Sequence, residues 1–229
     1  MKPAIGFPVT LVLTCLLGAF FYTTYPMFVA TEALAKSREI GVLTPELEVI
    51  IRADDYKSSL VVYASWGLVA GIIGAIASSG KGLGIRLIVG CVLGIILGAL
   101  TNYISDQYAL RSAPPLDAIQ YWIKRYSLVQ LPMALAVAIP ASFGAWANLP
   151  TNLVKAALAG VFAACLYSFL MGLVTPLEQV QFNYPQFTAN SFILLLSFNL
   201  LSYLGIVWGG AKKTTENVVD TASVPATPS

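Results

Sequence analysis

The chain has 229 residues, of which 57% are hydrophobic and only 10% charged, and its formal net charge is +2. A soluble domain carries about 25% charged residues, so the composition excludes one, and so small a net charge gives no reason to propose nucleic acid as a partner. Histidine is absent, which removes the commonest general base and the commonest metal ligand together.

Apolar runs of roughly twenty residues recur along the chain, each long enough to cross a bilayer as a helix. The sequence reads as an all-α integral membrane protein with residues 1–210 in a six-helix bundle. The expected spans are 8–28, 59–78, 83–103, 126–147, 153–174 and 190–210. The first follows Lys2 with no small-residue cleavage site at the usual distance, which fits an uncleaved signal anchor. Cys15, Cys91 and Cys165 all lie inside apolar runs and read as small apolar residues, not disulfide partners.

Between the first two spans, Thr44-Pro45 reads as a helix cap followed by a first-turn proline. Leu47, Ile50 and Ile51 then share a face, with Glu46, Glu48 and Asp55 away from it, so a short amphipathic helix is expected on the membrane surface. "SSGKG" (78–82) and "NLPTN" (148–152) read as tight turns, each closing an antiparallel hairpin. A second surface helix is expected before the fourth span. Its apolar stripe is Leu116, Ile119, Trp122, Ile123 and Tyr126, and its wet side Asp117, Gln120 and Lys124. Residues 211–229 are polar, lack large apolar side chains and are expected to form a disordered tail.

Orientation follows from basic residues near span ends. Lys2, Lys81, Arg86, Lys155, Lys212 and Lys213 fall on one side, on short segments; Lys36, Arg38, Arg52, Lys57, Arg111, Lys124 and Arg125 are spread over longer ones on the other. Their density favours both termini in the cytoplasm, in a bacterial-type inner membrane. Arg86, near a span end, is expected to snorkel to the surface.

Three segments after odd-numbered spans share a plan: "PELEVI" at Pro45, "PPLDAI" at Pro114 and "PLEQV" at Pro176. The odd spans share an echo as well: "TCLLG" at Thr14, "GCVLG" at Gly90 and "ACLYS" at Ala164. A threefold helical-hairpin repeat is one reading, and shared membrane composition the other. "PLDAIQ" and "PLEQVQ" also resemble the Pro-x-acid-x-x-basic signature of the mitochondrial carrier family. Gln120 and Gln181 stand where the basic residue belongs, however, and Leu47 where the first acid belongs, so no function is carried over.

No span has a charge near its centre, which argues against a proton-coupled pump. Without histidine or an acid cluster inside a helix, no enzyme, metal site or cofactor is expected. Asn199, flanked by Ser197 and Ser202 near the middle of the sixth span, must bond to another helix or to a solute. Gln130 is a second candidate for such a contact, although it and Asn102 sit near expected span ends and read as wet. Pro132 and Pro140 should kink the fourth span, and either is a candidate hinge.

The clearest pattern is glycine. The third span carries Gly90, Gly94 and Gly98; the second carries Gly67 and Gly71, continued by Ala75 and Ser79; the fifth carries Gly160 in a row with Ala156, Ala164, Ser168 and Gly172. Four-residue spacing drifts about 40° per step, so three glycines stay within about 80°, which one neighbour can cover. Close helix packing is the expected role, with contact to another chain or the lining of a path as alternatives. The expected function is a non-catalytic membrane subunit or scaffold, packed against other membrane proteins or itself. A channel or transporter for a small neutral solute is the alternative.

Overall fold

The computed structural model describes residues 3–29, 35–36, 39–41, 44–78, 82–111, 118–174 and 189–222. Among them there is no strand, and the architecture is all-helical. The helices are α1 (Pro3–Val29), α2 (Pro45–Ala77), α3 (Leu83–Arg111), α4 (Ala118–Ser142), α5 (Leu149–Val174) and α6 (Ala189–Ala222), with a short 3-10 turn at Trp146–Asn148. Helix is the element that satisfies every backbone group within one segment, which apolar surroundings demand. Among the described residues, four stretches are long and apolar enough to cross a membrane: Ile5–Thr23, Pro45–Ala77, Leu83–Gln107 and Trp146–Leu170. Those of α4 and α6, Ser127–Ser142 and Phe192–Trp208, are shorter.

Several boundaries differ from those expected. The surface helix at Pro45 is not separate from the second span; α2 is one helix of 33 residues, about 50 Å long. Thr44 caps it, its hydroxyl accepting from the Leu47 N–H at 3.4 Å, and no proline or glycine interrupts residues 46–66. Extending a helix is easier than starting another, so the wet and apolar parts fuse. The second surface helix fuses likewise: α4 is helical from Ala118 onward, eight residues before the expected start of its span. Of the expected tail, residues 211–222 are helical, because α6 continues through Ala222 and no proline or glycine lies between Ala211 and Ala222 to stop it; residues 223–229 lie outside the described residues.

The turn after α4 also moves. The helix ends at Ser142, not 147, and Gly144 takes φ +84°, a left-handed conformation that a side chain would oppose. Pro150 then falls in the first turn of α5, where its missing N–H is harmless, so "NLPTN" opens a helix and does not form the turn. Asn152 Nδ2 donates to Ser142 Oγ at 2.9 Å and ties the two helix ends. Of the three repeat segments, those at Pro114 and Pro176 fall wholly or largely outside the described residues.

The core gathers around α2. Trp66, Val69, Ala70 and Ile73 pack with Met133, Ala134 and Val137 of α4 and with Phe198 and Tyr203 of α6. Outward faces are apolar too: Leu11, Val12 and Leu16 on α1, Ile88, Val92 and Ile96 on α3, and Leu158 and Phe162 on α5 are all exposed. Polar side chains such as Thr10, Thr14, Asn102, Gln130 and Asn199 are buried instead. Exposed apolar faces on long apolar helices are compatible with a membrane location.

Candidate functional site

The residues singled out in the sequence fall in three places. The first is the contact of α2 with α3. A methyl added at Gly67 would lie 2.9 Å from Gly98 Cα and closer still to the Gly94 carbonyl. One at Gly71 would lie 2.6 Å from the Gly90 carbonyl carbon, and one at Gly98 would lie 2.8 Å from Ala64 Cα. Real Cβ atoms essentially never approach other atoms within 3.0 Å, so no side chain fits at any of these positions. The pairs 63/98, 67/94 and 71/90 run in opposite directions along the chain, so α2 and α3 are antiparallel. Arg86 closes this end: its side chain is fully buried and donates to the Ser78 carbonyl at 3.0 Å. It therefore does not snorkel outward. It reaches the C-terminal carbonyl end of α2, which attracts a cation.

The second place joins α1, α2 and α6. Asn199 is fully buried, and its Nδ2 donates to Thr14 Oγ1 at 3.1 Å. Its Oδ1 accepts from the Trp66 indole N–H at 3.3 Å. Thr14 in turn donates to the Thr10 carbonyl at 2.8 Å, and Thr10 to the Gly6 carbonyl at 2.9 Å. Trp66 also meets Phe198 edge-on, with ring centroids 5.5 Å apart. One carboxamide thus links three helices, and both of its ends have partners inside the chain. The two hydroxyls four residues apart on α1 were a signal for this arrangement; nothing in the sequence marked Trp66 as the second partner of Asn199.

The third place lies between α4 and α5. Gln130 is 1% exposed, and neither Nε2 nor Oε1 has a hydrogen-bond partner. Its Cβ occupies the space that a side chain at Gly160 would need, 2.8 Å from where that Cβ would stand. Gln130 and Asn102 are therefore not wet. Asn102 is 2% exposed, its Nδ2 donating to the Tyr56 carbonyl at 3.4 Å. Gln130 is the fourth residue of the apolar stretch Ser127–Ser142, and it is buried because the α5 backbone packs on its stem at Gly160. Pro132 and Pro140 are both buried inside α4, and Gly74 of α2 packs on its Val137 carbonyl and on Pro140 Cγ.

These places share one level. Thr14 is the centre of Ile5–Thr23, Asn199 lies next to the centre of Phe192–Trp208, and Gly94 next to that of Leu83–Gln107. α4 follows α3 after a six-residue segment, 112–117, and packs on it. It therefore runs antiparallel to α3 and parallel to α2. Counting back seven residues from the Gly74–Val137 contact sets Gly67 level with Gln130. Gly67 of α2 and Gln130 of α4 thus lie near the level of Gly94 of α3. Among the described residues no three His, Cys, Asp or Glu side chains come together.

No protein-family model matches the chain, and neither a curated protein nor a solved structure is significantly similar to it.

Proposed function

We propose that the chain is a non-catalytic multi-pass membrane protein that serves as a subunit or scaffold, packed against other membrane proteins or a second copy of itself. In this reading all six helices cross a bacterial-type inner membrane and both termini are cytoplasmic. The full lengths of α4 and α6, 25 and 34 residues, exceed the roughly 20 that a crossing needs. The glycine rows act as packing seams inside the bundle.

The observation that carries the reading is the two-sidedness of α3. Its Gly90, Gly94 and Gly98 are turned to α2, while Ile88, Val92 and Ile96 on the opposite face are exposed. A helix pinned along one side presents its other side as a fixed apolar ridge, suited to a partner helix as well as to lipid. Extraction from native membranes in mild detergent should recover a defined complex larger than one chain. Val92→Trp, placed on the outer face and away from the glycines, should release the chain from it. Recovery of a lone chain, with Val92→Trp behaving as wild type, overturns the reading.

The second reading, a channel or transporter for a small neutral solute, is favoured by the unpartnered Gln130 carboxamide and by the two prolines of α4, its candidate hinges. Reconstituted vesicles should then pass such a solute, and Gln130→Leu should reduce the flux. Lack of flux across a broad panel of neutral solutes counts against it.

A further inference from the structure

We propose that Gln130 is the recognition group of an internal site for water or a similarly small neutral molecule that both donates and accepts hydrogen bonds, which rests on the second reading above only where the occupant is a solute. Three observations lead there. Gln130 is almost fully buried near the middle of α4 with both carboxamide atoms unpartnered, and a buried amide left so is destabilising. The other mid-depth carboxamide, Asn199, has Thr14 and Trp66 as partners at 3.1 and 3.3 Å, so the bundle can satisfy an amide at this depth and does not do so for Gln130. Opposite Gln130, α5 supplies Gly160, so the glutamine stem lies against the α5 backbone with no side chain from residue 160 between them.

The chemistry of the occupant follows from the carboxamide. Nε2 needs an acceptor and Oε1 a donor. A charged molecule would meet an apolar interior with no counter-charge in this layer among the described residues, and an apolar one would leave both atoms unpaired. Water meets the requirement, and so does a small amide of the urea type. Burial means that the site opens from within: the glutamine stem has three rotatable bonds, and its swing away from Gly160 admits the molecule. The site does not depend on assembly, since a chain that proved monomeric in detergent would keep it.

The test uses the full chain reconstituted in bilayers, with the Gln130 side-chain N–H₂ resonance assigned by its loss in Gln130→Met. Magnetisation transfer to that resonance is measured from water, and separately from added ¹³C-labelled urea. Transfer from water alone identifies water as the occupant; transfer from urea, with water displaced, identifies a solute site; either supports the proposal. Absence of both overturns it, and so does an apparent melting temperature that rises in Gln130→Met, the mark of an amide that had no partner to lose. The wild-type measurement stands even where Gln130→Met folds poorly, because Gln130→Leu supplies the same assignment.

Discussion

The α2–α3 contact and the α1–α2–α6 junction hold helices together by opposite means. In the first, glycine brings backbone against backbone, and the missing Cβ atoms are the whole device. In the second, one carboxamide bonds a threonine and a tryptophan across three helices. The first is intolerant of added volume and indifferent to hydrogen-bond chemistry; the second is the reverse. Where no hydrophobic gain accompanies helix association, as in lipid, these are the two kinds of attraction left: close van der Waals contact and interhelical hydrogen bonds.

That contrast can be broken in order of expected effect. Gly71→Leu should be the most damaging change, because its Cβ alone would overlap the Gly90 backbone. Overpacking commonly costs about 1–3 kcal/mol, and a backbone clash with no flexible side chain to yield belongs at or above the top of that range. Reversible unfolding in mixed detergent micelles should show the loss, and a near wild-type transition would refute rigid contact along this seam. Asn199→Leu should follow, at about 2 kcal/mol, because two interhelical bonds vanish and the Trp66 N–H is stranded. Trp66→Phe keeps the aromatic contact with Phe198 but removes one donor, for about 1 kcal/mol. Combining it with Asn199→Leu should cost less than the sum, and strict additivity would show that the bond carries no coupling.

The smallest effect is expected at Lys57→Ala. Lys57 is 74% exposed and 3.6 Å from Asp54, so the change should stay within about 0.5 kcal/mol. A large loss there would mean that the wet end of α2 is held by more than helix continuity.

Much of this was legible in the residues. The Thr44-Pro45 cap announced where α2 begins, while the glycine rows were visible as a pattern whose partners the sequence did not name. Asn199 was marked by its depth alone, as a group obliged to find a partner. Three of the boundary errors share one source. Lys124 and Arg125 suggested that the fourth span begins after them, but a helix has no need to stop at the membrane surface. α4 starts at Ala118, although its apolar stretch begins only at Ser127, three residues before Gln130. The same continuity merged the surface helix at Pro45 with its span and carried α6 to Ala222.

The sequence by itself determined the helices, their apolar character and the positions where small or polar residues break it. These are local properties, set by hydropathy, propensity and spacing along one element. Only the tertiary structure decided that Gly67 and Gly71 meet Gly94 and Gly90, that Asn199 meets Trp66 and Thr14, and that Gln130 meets no hydrogen-bond partner. Those facts depend on the rotation and depth of each helix relative to the others. Helices with apolar residues on nearly every face carry little in their own pattern to fix either, so the choice falls to close packing and to the pairing of the few polar groups inside.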